Sequence, residues 1–181
     1  MKKVFIGGSR RISRLNADVR RRIDQIIERS LHVLVGDANG ADKAVQAYLS
    51  ERLYPNVVVF CTAGHCRNNL GGWPVTSITA PHRVRDFQFF TAKDSAMAHE
   101  ADVGLMLWDG QSSGTIVNVA RMVATEKPVV VYVSPTKTFT TVKSRSDLEV
   151  LLSLCPSNVR KRIDDYILEH AGELAQSRMF P

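Results

Sequence analysis

Three segments of the chain carry residues able to do chemistry together: "GGSRR" at 7–11, "GDANGAD" at 36–42 and "DGQSSGT" at 109–115. Gly7 and Gly8 let the backbone approach a ligand closely, and Ser9 and Arg10 add a hydroxyl and a planar cation. Gly36 and Asp37 open the second segment, and Gly40-Ala41 sit where a helix would start. Unpaired N–H donors and the positive end of the helix dipole favour an anion there. Asp42 either accepts from a sugar hydroxyl or complements that same helix N-terminus. Ser112, Ser113, Gly114 and Thr115 form another donor-rich helix start, and Asp109 ahead of them is placed to bind ribose or act as a base. Together the set suits a phosphate-bearing ligand. Any one segment alone is also what an ordinary strand-to-helix turn looks like, because Ser, Thr and Asp are favoured caps, worth about 1 kcal/mol each. The fold must bring them together for the chemical reading to hold.

Periodicity supplies such a fold. Val4-Phe5-Ile6, His32–Val35, Val57–Cys61, Val103–Trp108 and 128–133 are short runs, mostly β-branched or apolar, bounded by turn residues, and read as strands. Apolar residues at helical spacing between them predict helices over 16–29, 41–52, 85–101 and 115–125. Strands apolar on both faces and alternating with helices imply a Rossmann-like, doubly wound α/β fold with a mainly parallel sheet covered on both sides. Ligands of such sheets bind beyond the carboxyl ends of the strands. All three segments follow strands, so all three are expected on one rim.

Residues 62–82 show turn residues throughout and no sustained period, and read as a long functional loop. His65 and His82 in or beside it are candidate rim contacts or plain exposed histidines. Trp73 either stacks on a base or packs onto the core, and Arg83 and Arg85 either reach phosphate or begin a solvated helix. Trp108, ending a strand, reads as core. Beyond residue 134 a strand or hairpin at Phe139–Val142 and helices over 146–154 and 157–175 are expected. Residues 1–181 then form a single Rossmann-like nucleotide-binding domain, with about 134–181 an extension packed on it or placed in a dimer contact. The apolar residues Val150, Leu151, Leu154, Ile163, Ile167 and Leu168 need burial somewhere, which favours a homo-oligomer.

Composition narrows the classes. At 181 residues and 44% hydrophobic content, the chain suits one soluble domain. No apolar run approaches the roughly 20 residues needed to span a bilayer, so no membrane partner is expected. Met1-Lys2-Lys3 is followed by only three apolar residues before the glycines, too short for a signal peptide, and the expected location is cytoplasmic. Cys61, His65 and Cys66 lie close together, but no second pair completes a zinc site, and they read as ordinary thiols with no metal or cofactor. The net charge of +6 is concentrated in residues 10–22 and 159–162. Such clusters bind nucleic acid or a small anion, or simply form solvated helix faces.

No G-x-G-x-x-G or G-x-x-x-x-G-K-[ST] pattern occurs, which disfavours an ordinary dehydrogenase or P-loop enzyme. The joined segments, with "KDSAMAHEADVGLMLWDG" between them, resemble the SLOG superfamily of Rossmann-like proteins. Its DprA and LOG (cytokinin-riboside phosphoribohydrolase) branches belong there, and the small YspA-like branch looks nearest. The resemblance covers about residues 3–133. It rests on "GSR" after the first strand, Gly36 to Asp42 after the second, Lys93, Asp94, Met97, Ala101 and Asp102, and Trp108 to Thr115. It implies binding of a nucleotide or nucleotide-derived ligand, and in some branches cleavage of the N-glycosidic bond of nucleoside monophosphates. Where the LOG branch carries its catalytic acid, three residues after the threonine, this chain has Asn118. An amide is neither a carboxylate nucleophile nor an ordinary base.

The leading expectation is therefore a nucleotide-binding protein or sensor, with Asn118 among the ligand contacts. The alternative is an N-glycosidase, or nucleoside-monophosphate phosphoribohydrolase, using a displaced acid, with Asp109 and Asp94 as the candidates. A nucleic-acid-binding module using Arg10, Arg11, Arg14 and Arg20–Arg22 is the third reading.

Overall fold

Runs of Val, Ile, Leu and Phe form the strands because alternate side chains on a strand reach opposite layers of helices. A computed structural model describes residues 1–64, 66–79, 87–153 and 155–169. The elements run β1 (Lys3–Gly8), α1 (Ala17–Glu28), β2 (His32–Gly36), α2 (Ala41–Glu51), β3 (Val57–Thr62) and β4 (Val75–Ile78). They continue with α3 (Phe87–Glu100), β5 (Val103–Trp108), α4 (Ser113–Ala124), β6 (Val129–Val133), β7 (Thr138–Val142), α5 (Arg145–Ser153) and α6 (Ser157–Glu169). The sheet order is β4-β3-β2-β1-β5-β6-β7. β1 to β6 are parallel, and β7 returns antiparallel beside β6. This is the doubly wound, Rossmann-like α/β fold that the periodicity predicts.

The two faces divide cleanly. Val4, Ile6, Val33, Val35, Val57 and Val59 share a core with Val19 and Ile23 of α1 and with Val45 and Leu49 of α2. On the opposite face Phe5, Leu34, Phe60 and Met106 join Met97 of α3, Ile116 and Val119 of α4, Leu151 of α5 and Ile163 of α6. From β1 the chain winds outward through β2, β3 and β4, then crosses back through α3 to β5 on the other side of β1. That reversal opens a crevice at the carboxyl ends of β1 and β5, the usual ligand site of such sheets.

One expectation fails. Residues 62–82, read as a loop, contain β4, which pairs with β3 from Val59↔Val75 to Thr62↔Ile78. Four residues of mixed polarity on a sheet edge, exposed and half-buried in alternation, leave too short a pattern to read. Trp73 packs into the core and donates from Nε1 to the Tyr54 carbonyl at 2.8 Å. Trp108 is core as expected. His65, His82, Arg83, Arg85 and Leu154 lie outside the described residues.

The C-terminal segment packs on the same chain. β7 extends the sheet, Leu151 and Ile163 are buried in the core, and Ile167 packs partly against it. Val150 and Leu168 remain 66% and 75% exposed, so the burial that these apolar residues need is met in cis for some of them and not for others. The Arg20–Arg22 run is split among different neighbours: Arg20 lies over the Tyr48 ring, Arg22 over Phe139, and Arg21 pairs with Asp18 at 3.4 Å. No helix among the described residues is long and apolar enough to cross a membrane. If Ile163 anchors α6 to its own chain, Ile163→Ala should lower unfolding free energy by about 2–5 kcal/mol. Urea denaturation at low micromolar protein measures this; a loss under about 1 kcal/mol would mean that α6 is held by something else.

Candidate functional site

At the β1/β5 reversal a cavity of about 450 Å³ is lined by all three polar turns. Gly7, Gly8, Ser9, Arg10 and Arg11 come from the turn after β1, and Ala38 and Asp42 from the turn after β2 and the first turn of α2. Asp109, Gln111 and Ser112–Thr115 come from the turn after β5, and α4 adds Asn118. α3 contributes Lys93, Asp94 and Met97. Arg162 of α6 completes the mouth, a contribution from the C-terminal segment that sequence periodicity gave no reason to expect. Gly36, Asp37, Gly40 and Ala41 do not line the cavity; they lie beneath and beside it.

Local bonding explains why these turns hold their shape. Asp109 sits one residue beyond β5. Its Oδ2 accepts from the Ser9 hydroxyl at 2.8 Å, and its Oδ1 accepts from the Gln111 and Ser112 N–H groups at 3.0 and 2.7 Å. Asp109 therefore staples the first turn to the third. Trp108 Nε1 donates to the Ser112 carbonyl at 3.2 Å, holding the same turn from below. Ser112 is the N-cap of α4: its Oγ accepts from the Thr115 N–H at 3.4 Å and from the Thr115 hydroxyl at 3.0 Å. The first-turn N–H groups of Ser113 and Gly114 lie outside the intrahelical ladder, as at any helix start.

At the start of α2 the leading donor is already used. The Ala41 N–H donates to the Ser9 carbonyl at 3.1 Å, and the Ala38 N–H to Asp42 Oδ2 at 3.1 Å. Gly40 has φ +84°, and a Cβ there would lie 2.3 Å from the Arg10 carbonyl oxygen. Its glycine serves the close crossing of two turns. Of the two helix starts suggested by the sequence, Ser112–Thr115 lines the cavity, whereas α2 reaches it through Asp42 and not through Gly40-Ala41.

The cavity floor is a buried charge cluster. Lys93 is only 4% exposed, and its ammonium lies 2.7 Å from Asp94 Oδ1, 3.8 Å from Asp42 Oδ2 and 4.0 Å from Asp37 Oδ1. Burial works to lower the Lys93 pKa, but Asp94 and Asp42 outweigh it and hold the ammonium charged above the ordinary lysine range. Burial pushes Asp42 up to about 6, against the pull of Lys93. Asp37 also suffers burial, but hydrogen bonds from Arg67 hold it below the usual carboxylate range. Arg67 grips Asp37 with two side-chain bonds, Nε to Oδ2 at 3.0 Å and Nη2 to Oδ1 at 2.7 Å. Gln46 and Asn68, both buried, then lock the segment after β3 to the β2 turn.

Asn118 belongs to this network. Its Nδ2 donates to Asp94 Oδ2 at 3.1 Å, while its Oδ1 accepts from Arg121 Nη1 at 2.8 Å. The amide relays a buried cation to Asp94, and the Asp94 carboxylate faces the cavity between Lys93 and Asn118. Sequence reading placed Asp94 and Asn118 in the site but assigned nothing to Arg67, Gln46, Asn68 or Arg121, and read Arg162 only as part of the basic cluster 159–162. The bidentate Arg67–Asp37 pair has no local spacing signal, since its members lie thirty residues apart.

Among the described residues no group of three or more His, Cys, Asp or Glu side chains is arranged to hold a metal ion. Burial and the neighbouring Cys61 thiol push the Cys66 thiol up to about 12. The chain matches no family model, no curated protein and no solved structure.

The raised Asp42 pKa fixes a sign. A carboxyl whose pKa is higher in the fold contributes stability that is full below its unfolded value near 3.8 and lost as pH rises through about 6. Asp42→Asn retains an acceptor for Ala38 and removes the titration. Between pH 4 and pH 7 the wild type should lose stability relative to this variant, by something on the order of 2–3 kcal/mol. Denaturant titrations at both pH values measure it, and a difference independent of pH would exclude Asp42 as the titrating group.

Proposed function

We propose that the crevice binds a nucleotide or nucleotide-derived ligand, acting as a binding protein or sensor. The observation that carries this reading is the meeting of three polar βα turns on one cavity at the sheet's reversal point. Its volume lies within the range of small-molecule sites. A helix N-terminus opens on it, arginines surround its mouth and carboxylates line its floor, which suits a ligand with an anionic end and a hydroxyl-bearing end. The resemblance of the joined turns to the SLOG superfamily supports the same assignment. Gly114→Val should crowd the α4 N-terminus and weaken binding of nucleoside 5′-mono- and diphosphates at least about tenfold, the scale of a lost charge-assisted hydrogen bond. Titration calorimetry on a variant with an unchanged circular dichroism spectrum reads this, and unaltered affinity would remove the phosphate from that helix.

An N-glycosidase is the second reading, and the orientation of Asp94 by Asn118 favours it over one using Asp109, whose two oxygens already hold the turns. General acid–base assistance is worth roughly 10²–10⁴-fold. Under the binder reading, nucleoside monophosphates incubated with the protein release no free base above the uncatalysed background. Turnover that disappears in Asp94→Asn while binding persists would make the protein an enzyme. Nucleic acid is the weaker partner, because the arginine run of α1 is divided among several neighbours; a steep salt dependence of binding would mark it.

A further inference from the structure

Arg11 and Arg162 reach the cavity mouth from opposite ends of the chain and converge on one residue. Arg11 Nη1 donates to Gln111 Oε1 at 2.8 Å, and Arg162 Nη2 donates to the Gln111 carbonyl at 2.6 Å. Both acceptors are neutral, and among the described residues neither guanidinium has a carboxylate within ion-pair distance. Each guanidinium carries five donors, so most of each fork is uncommitted. Two like charges bonded to a single residue repel, and an amide offsets that only in part. A multiply charged anion between them would convert the repulsion into two charge-assisted contacts.

The floor gives the opposite polarity. Asp94 and Asp42 line it with only Lys93 between them, so the anionic end of a ligand is repelled from the floor and drawn to the mouth. The α4 N-terminus begins two residues after Gln111, next to the paired arginines. One phosphate on that helix start leaves the two guanidiniums beside it available to a second.

Resting on the nucleotide reading, we propose that the cavity selects ligands carrying two linked phosphates, such as a nucleoside diphosphate. The inner phosphate sits at the Ser113–Thr115 helix start, the outer one between Arg11 and Arg162, and sugar hydroxyls point toward Asp94. Arg162 is then a specificity residue supplied by the C-terminal segment.

The test is titration calorimetry with the 5′-mono- and diphosphates of adenosine, guanosine, cytidine and uridine, on wild type, Arg11→Ala and Arg162→Ala. Both side chains are exposed, and thermal melts check that the variants fold. For whichever base binds, the diphosphate should bind at least about tenfold tighter than the monophosphate, the scale of one added charge-assisted contact. Either alanine variant should shrink that ratio to under about twofold. Arg162→Lys, which keeps the charge and loses the fork, should fall between. Equal mono- and diphosphate affinity in the wild type, or a ratio that survives Arg162→Ala, overturns the clamp and leaves the nucleotide reading standing. If none of these compounds binds, both fall.

Discussion

A lysine ammonium buried at the rim of the sheet organises the rest of the structure. Lys93 stands on α3, in the layer that packs on one face, and its ammonium reaches toward Asp42 of α2, in the layer on the other. It passes the end of β2 at Gly36, where a Cβ would lie 2.5 Å from Nζ and 2.3 Å from the Asp42 carboxylate. Glycine is required there because the charge cluster occupies the side-chain space. An isolated buried ammonium would cost several kcal/mol, and three carboxylates from one turn and two helices surround it. Meeting that demand ties together the turn after β2, the start of α2 and the middle of α3. The cavity floor is the exposed edge of this arrangement.

The same electrostatics grades the site from inside to outside. Three acids and one lysine form the interior, with Arg67 turned away onto Asp37. Arg10, Arg11 and Arg162 stand at the mouth. The overall charge of +6 therefore says little about this pocket; the order of charges along the cavity axis decides how a ligand is oriented. A low-dielectric floor strengthens each of these terms relative to the solvated mouth. Hydroxyl donors suit the floor, and phosphates suit the rim.

What could be read from the sequence was what repeats locally. Five strands and four helices, with a further strand and two helices beyond residue 134, followed from apolar spacing, and the three turns fell on one rim because parallel strands all end there. β4 was hidden because Val-Thr-Ser-Ile on a sheet edge has one partner strand and little burial. Lys93 was legible as a basic residue ahead of β5 but not as a buried one, since its partners Asp37 and Asp42 lie more than fifty positions away. Ala41 looked like an open helix start, yet its N–H is taken by the Ser9 carbonyl, a contact set by tertiary crossing. The C-terminal apolar residues fitted either a partner or the chain's own core. Leu151 and Ile163 settle inside, a choice that periodicity cannot make.

Asn118 shows how the network constrains the chemistry. At this position an acid would place a second carboxylate 3.1 Å from Asp94, where the amide nitrogen now donates. Two carboxylates at hydrogen-bond distance cannot both ionise without a large penalty. The amide avoids this by presenting opposite ends to opposite charges: its oxygen to Arg121, buried in the α3–α4 layer, and its nitrogen to Asp94. An amide on α4 and a carboxylate on α3 are thus one structural unit. The negative charge in this part of the cavity is carried by α3 and fixed on both sides, by Lys93 at 2.7 Å and by Asn118. With a donor already on each oxygen, Asp94 keeps lone pairs for hydroxyls of a ligand. Held in this way, the carboxylate is an acceptor of fixed orientation on the cavity wall.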